Sequence, residues 1–227
     1  MEFHAWEPVY ERILADFGFD RAADEHARDR LAAATEPFDL DTLSEFEGAT
    51  VAVAGAGPNL DEEAEAAADA DRVVAASSAA RTLRDSGVAV DLAVTDLDGT
   101  PEYLATASHD GLPAAVHAHG DNDDALARWV PEFAAERVLP TTQAAPVDHV
   151  RNYGGFTDGD RAAFLADALG AAELRFVGWQ FDDPAVDELK AKKLRWAERL
   201  LYWLEVRREE RFELLDGRRE ELTLPTA

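Results

Sequence analysis

The sequence predicts an α/β protein: a mostly parallel sheet with helices on both faces, preceded by a small N-terminal helical segment and followed by a long C-terminal helix. Three observations carry this reading. From Thr50 onward, short runs rich in Val and Ala alternate with Ala/Glu/Asp/Arg-rich stretches at the lengths of βα units. Before that point, and again near the C-terminus, apolar residues recur at three- and four-residue spacing. Small or hydrogen-bonding residues follow each candidate strand, which is where open parallel sheets bind ligands.

The elements follow in order. Trp6, Tyr10, Ile13, Leu14 and Phe17 share one helical stripe that Gly18 stops, and a second helix is expected from about Arg21 to Ala34. Residues 1–47 are therefore expected to form the N-terminal helical segment, and residues 48–227 the main domain with its C-terminal helix. Candidate strands are Thr50–Ala54, Arg72–Ala76, Asp91–Thr95, Ala114–His117, Arg137–Leu139 and Leu174–Gly178. Helices are expected between them at about 60–69, 79–86, 101–108, 122–134 and 158–169. A long amphipathic helix from about Pro184 to Glu210 carries Val186, Leu189, Leu194, Ala197, Leu200, Leu201 and Leu204 on one stripe. Beyond it, Asp216-Gly217 suggests a hairpin over Phe212–Leu224.

Composition narrows the function. The chain has 227 residues with 22 Lys plus Arg against 47 Asp plus Glu, a formal net charge of −25. Such a surface repels phosphate backbones, which argues against a nucleic-acid partner. The acidity is spread over every expected helix, and only three lysines occur (Lys190, Lys192, Lys193). That pattern fits adaptation to a cytoplasm of molar salt, where the Debye length is about 3 Å and self-repulsion is screened. There is no cysteine, hence no thiolate metal site or thiol nucleophile. The longest uncharged stretch, Gly48–Leu60, has 13 residues, short of the roughly 18 that suggest a membrane span. No leader pattern opens the chain, so a cytoplasmic location is expected.

Four segments carry the chemistry. Gly55-Ala-Gly57-Pro58-Asn59 follows a strand and opens a helix, so its backbone N–H groups are expected to face a phosphate. It lacks the third glycine of the dinucleotide fingerprint, and Ser77-Ser78 with Arg81 replaces the acid that would hold an NAD ribose. Thr95-Asp96-Leu97-Asp98-Gly99 places two carboxylates just past a buried strand, where both can turn toward one hard cation such as Mg²⁺. His117-Ala-His119-Gly-Asp121-Asn122 resembles the opening of a His-x-His-x-Asp-His metal motif, but the last position is Asn122. Asp121 is instead expected as a third ligand for the Asp96/Asp98 metal or as general base. In Asn152-Tyr-Gly-Gly-Phe-Thr157-Asp158-Gly-Asp160-Arg161, Thr157 can cap a helix, and Arg161 lies within phosphate reach. The three lysines on the C-terminal helix can either reach an anionic ligand or form a solvated face.

In this order the segments resemble the archaeal 6-hydroxymethyl-7,8-dihydropterin pyrophosphokinase family, whose catalytic domain is similar to that of thiamine pyrophosphokinase. The matching stretches are Gly55–Asp61, Thr95–Gly99, His117–Asn122, Thr142-Gln143, Asn152–Arg161 and Gly178–Asp182. The resemblance implies a Rossmann-like catalytic domain over 48–227. It also implies transfer of a diphosphate from ATP to the hydroxymethyl group of a reduced pterin, with release of AMP and dependence on Mg²⁺. On this basis Asp96 and Asp98 hold the metal, and Thr157-Asp158 help bind nucleotide or metal. Gly55, Gly57, Pro58, Asn59, Ser77 and Arg161 complete the expected nucleotide site. Gln143, Asn152 and Asp182 are the expected readers of the pterin edge, with Trp179 or Phe156 stacking on its ring. The expected partners are ATP and a reduced pterin, with no nucleic acid and no membrane; a homo-oligomer stays open. Two other readings of the same residues are an NADP-dependent oxidoreductase, from the glycine turn with Ser77, Ser78 and Arg81, and a sugar-nucleotide-dependent transferase using the same Asp pair.

Overall fold

The computed structural model describes residues 1–226. Six strands run β1 (Thr50–Ala54), β2 (Arg72–Ala76), β3 (Leu92–Thr95), β4 (Ala114–Ala118), β5 (Val138–Thr142) and β6 (Glu173–Val177). They form one sheet of order β5-β4-β3-β2-β1-β6, with every neighbouring pair parallel. The helices are α1 (Phe3–Phe17), α2 (Arg21–Ala34), α3 (Leu60–Ala68), α4 (Ala79–Asp85), α5 (Pro101–His109), α6 (Asp123–Trp129), α7 (Asp158–Ala168) and α8 (Glu188–Arg208). No helix among the described residues is long and apolar enough to cross a membrane.

Strand alternation sorts the helices into two layers, because successive side chains on a strand point to opposite faces. Val51, Val53, Val74, Leu92, Val94, Ala115 and Leu139 pack with α1, α7 and α8. Their neighbours in sequence, Ala52, Ala54, Val73, Ala75, Ala93, Ala114, Val116 and Val138, pack with α2 to α6. Both faces are thus covered, which is why these strands read as continuous Val/Ala runs rather than as an apolar/polar alternation. Trp6, Tyr10 and Ile13 of the N-terminal stripe are fully buried in the same core as the sheet.

This topology defines one crevice. From β1 the chain steps strand by strand to β5 through α3 to α6, then returns along α7 to place β6 against the other side of β1. At the carboxyl end of β1 the order reverses, and loops leave in opposite directions.

Departures from the expected elements have local causes. The helix expected over 122–134 stops at Trp129, since Pro131 cannot donate to the helical ladder, and a short 3-10 turn Val130–Glu132 follows. The long helix begins at Glu188 instead of Pro184, because the Asp187 side chain caps it by accepting from the Lys190 N–H at 2.7 Å. A 3-10 turn over Leu40–Phe46, absent from the sequence reading, buries Leu43 and Phe46 before β1. The expected hairpin over Phe212–Leu224 does not form. That stretch contains two 3-10 turns, Glu213–Leu215 and Arg219–Glu221. The buried Glu205 carboxylate of α8 accepts from the Phe212 N–H and from Arg219, so side chains replace a β ladder there.

Candidate active site

The carboxyl ends of all six strands line one cleft of about 330 Å³. Gly55, Gly57 and Pro58 follow β1, Ser77 follows β2, Asp96 and Asp98 follow β3, His119 and Asp121 follow β4, Gln143 follows β5, and Gly178 and Trp179 follow β6. The start of α7 adds Thr157, Asp158 and Arg161. Phe19, from the turn between α1 and α2, and Val186, Lys190, Lys193 and Leu194 complete the wall.

The acidic turn is built by the backbone. Leu97 sits at φ 69°, a left-handed conformation uncommon for a non-glycine residue. Its own side chain is buried, and its N–H donates to Thr95 Oγ1 at 2.9 Å. Reversing the chain at Leu97 lets Asp96 and Asp98, on either side, converge. Gly99 (φ 69°) continues the turn, and a Cβ there would lie 2.9 Å from Ser77 Oγ. Ser77, itself at φ 46°, donates its hydroxyl to Asp98 Oδ1 at 3.1 Å and so orients that carboxylate. Two of the four non-glycine residues at positive φ among the described residues, Ser77 and Leu97, therefore flank the acids, a placement typical of backbone strain retained at a functional site.

A third carboxylate arrives from the other side of the sheet. Thr157 is the N-cap residue of α7, and its N–H and hydroxyl both donate to the Asp160 carboxylate of the first turn. This fixes the helix start and places Asp158 in the first turn, where Asp158 Oδ2 accepts from the Asp96 N–H at 3.4 Å. Asp96, Asp98 and Asp158 offer oxygens that all lie within 4.8 Å of one another. Arg161, one turn further along α7 and only 5% exposed, donates to Asp158 Oδ1 at 3.0 Å and lies 3.5 Å from Asp96 Oδ2. His119 Nε2 lies 3.3 Å from the same Asp96 oxygen.

The electrostatics of the three acids diverge. Burial by itself would raise the Asp96 carboxyl, but the His119 hydrogen bond and the Arg161 charge outweigh it and hold the group well below the usual carboxylate range. Burial and the charge of Asp96 push Asp98 up, and the same two causes push Asp158 up further. One guanidinium thus does not balance three clustered carboxylates. Convergent hard oxygen donors with unrelieved mutual repulsion are what a divalent cation such as Mg²⁺ requires.

Several expected site residues fall elsewhere or do other work. The Gly55 N–H donates to Val177 O at 2.9 Å and the Gly57 N–H to Gly178 O at 2.8 Å, so these two amides close the β1–β6 edge and do not face a phosphate. Both residues line the cleft as glycines because a Cβ at 55 or 57 would come within 2.7 or 2.5 Å of Gly178 O. Asn59 is not in the cleft wall; its Nδ2 donates to Glu63 Oε1 at 2.7 Å. Gln143 reaches the cleft with both ends engaged, Nε2 donating to Asp24 at 2.8 Å and Oε1 accepting from Arg161 at 3.3 Å. Asn152 is buried behind it, donating to the Gln143 and Ala144 carbonyls at 2.8 Å. Asp182 is exposed and paired with Arg218, outside the cleft. Asp121 stands in the cleft wall but outside the acid cluster; the third carboxylate is Asp158. Trp179 is pinned by its Nε1–H donating to Val53 O at 3.0 Å, with Gly159 leaving room for the ring edge. His117 is buried under the site, its Nδ1 3.0 Å from Thr141 Oγ1, and does not join His119 as a paired ligand. The sequence reading missed His119 as the partner of Asp96 and Phe19 as a wall residue. Nothing local to either signals a contact made across the chain.

Comparison with known proteins bears on the chemistry of this cleft. A family model described as 6-hydroxymethylpterin diphosphokinase MptE-like matches residues 28–185, which contain all three acids, Arg161 and His119. The chain is similar to the 6-hydroxymethyl-7,8-dihydropterin pyrophosphokinase of Pyrococcus furiosus, 41% identical over 222 residues covering 90% of this chain and 94% of the relative. It is 38% identical to the protein of that name from Methanothermobacter thermautotrophicus, over 90% of this chain and 96% of the relative. A third protein of that name, from Methanocaldococcus jannaschii, is 31% identical over the same shares of the two chains.

Proposed function

The chain belongs to the MptE-like 6-hydroxymethylpterin diphosphokinase family, and on that premise we propose that it transfers a diphosphate from ATP to the hydroxymethyl group of 6-hydroxymethyl-7,8-dihydropterin and releases AMP. The observation that carries this reading is the convergence of Asp96, Asp98 and Asp158 on the cleft that the carboxyl ends of the strands form. An NADP-dependent oxidoreductase, the alternative from the glycine turn, leaves these acids without a role, and its glycine amides are engaged in the sheet edge.

In this reaction the hydroxymethyl oxygen bonds to the β-phosphorus of ATP, the bridging bond from the β-phosphorus to the α-phosphate oxygen breaks, and AMP departs. Little covalent work falls to the protein; it must align the reactants and balance charge. Asp96, Asp98 and Asp158 would hold Mg²⁺, which when bound neutralises charge on the phosphoryl oxygens and the departing AMP. Ser77 orients Asp98, and Gln143 and Asp158 orient Arg161. Asp121, an exposed carboxylate in the cleft wall, takes the hydroxyl proton. Phe156, buried against Phe17 and Phe19, offers an apolar face for the pterin ring.

The test is to incubate the protein with ATP, Mg²⁺ and 6-hydroxymethyl-7,8-dihydropterin in molar KCl and separate the products by chromatography with mass detection. AMP and a diphosphorylated pterin are expected in equal amounts. Folded protein that forms no AMP overturns the reading.

A further inference from the structure

We propose that Lys190 and Lys193 form a cationic wall that holds the phosphate chain of the nucleotide across the cleft from the acid cluster, an inference that rests on the pyrophosphokinase reading. The first support is where the lysines are. The chain uses arginine for nearly all its positive charge, yet its three lysines fall within residues 190–193, at the start of α8. Cations in the first turns of a helix oppose its macrodipole, so helix stability does not explain them there.

The second support is that the three divide by face. Lys192 is committed to α1: its Nζ lies 2.9 Å from Asp16 Oδ1 and 2.7 Å from the Asp16 carbonyl, and it sits 4.4 Å over the Phe17 ring. Lys190 and Lys193, three residues apart and hence on one face, both line the cleft. Neither forms an ion pair within 4 Å among the described residues, in a chain with more than twice as many acids as bases.

The third support is elimination. The other strong cation of the cleft wall, Arg161, is held by Asp158, Asp96 and Gln143, and the Gly55 and Gly57 amides are engaged by Val177 and Gly178. The net charge of −25 supplies no attraction for a polyanion. Two unpaired ammonium groups do, and a compact charge on a flexible stem suits a phosphate chain whose geometry changes as AMP separates.

The experiment measures binding of magnesium tripolyphosphate by calorimetry in molar KCl, and steady-state KM for ATP and for the pterin, on the full chain. Lys190→Met and Lys193→Met are each expected to weaken tripolyphosphate binding and raise KM for ATP about tenfold, and the double variant about a hundredfold. KM for the pterin should move less than twofold, and Lys193→Arg should restore most of the ATP affinity. Lys192→Met, the same neutralisation on the same helix, should lower the melting temperature but leave both binding values alone. Wild-type tripolyphosphate affinity in the double variant overturns the lysine wall whether or not the protein turns over. Active wild-type enzyme with that result leaves the pyrophosphokinase reading intact, whereas wild-type protein that forms no AMP removes that reading itself.

Discussion

Asp158 in the first turn of α7 and Arg161 one turn later meet at 3.0 Å, and through this pair the helix delivers both the third carboxylate of the acid cluster and a counter-charge to the acidic turn after β3. The pair is almost wholly buried. Removing one partner of a buried pair leaves an uncompensated charge, which typically costs about 3–5 kcal/mol.

Arg161→Met should therefore destabilise the apo protein by about 3 kcal/mol or more, because Asp96 and Asp158 lose their shared guanidinium. Mg²⁺ should restore part of that loss by supplying charge at the same point. Thermal unfolding with and without Mg²⁺ checks this, and an equal drop in both conditions would contradict it.

Asp98→Asn should act in the opposite sense on the apo protein. Burial and the Asp96 charge raise the Asp98 carboxyl in the folded state, so folded protein holds that proton to higher pH than unfolded chain does. The stability contribution of this group thus falls as pH rises through the window between the two values, and at neutral pH the ionised form is a cost. The neutral amide removes the cost. A higher melting temperature without Mg²⁺, at least a tenfold weaker Mg²⁺ affinity by calorimetry and loss of turnover are expected together.

Gly57→Ala places a methyl group 2.5 Å from Gly178 O, a backbone atom that cannot swing aside. The loops after β1 and β6 must separate, and the Gly57 N–H to Gly178 O bond at 2.8 Å goes with them. A loss of about 1–3 kcal/mol is expected, together with a raised KM for ATP. Denaturant titration and steady-state kinetics read the two effects, and unchanged values in both would show that the close approach is dispensable.

The whole-chain charge predicts a salt requirement. At −25 the folded state repels itself, and salt screens that repulsion within about 10 Å at 0.1 M and about 3 Å at 1 M. The melting temperature should rise steadily from 0.1 to 2 M KCl, with loss of helical circular dichroism on desalting. A flat dependence would remove the molar-salt reading.

Strand positions and most helix starts, that of α8 excepted, were legible in the sequence because their causes are local. Val/Ala runs make doubly covered strands, Gly18 stops α1, and Thr157 with Asp160 starts α7. The Asp96/Asp98 turn was legible for the same reason. The C-terminal stretch was misread as a hairpin because its fate is set by Glu205, seven residues before Phe212, and by Arg219 folding back onto it. Asn152 and Asp182 look like ligand readers in sequence, but their hydrogen-bonding groups are engaged by the Gln143 and Ala144 carbonyls and by Arg218, partners that no local pattern names.

By itself the sequence determined the class of fold, the polar rim at the strand ends and the acidic turn, because each depends on periodicity or spacing within a few residues, while the family resemblance came from the order of short motifs between Gly55 and Asp182. Tertiary structure alone decided that Asp158, and not Asp121, completes the acid cluster, that His119 bonds to Asp96, that the glycine amides close the sheet edge and that Lys190 and Lys193 face the cleft. Asp96 and Asp158 are 62 residues apart, and what joins them is the return of α7 across the sheet. Side chains that share a charge balance are chosen by where strands and helices end in space, and the chain's order does not record that distance.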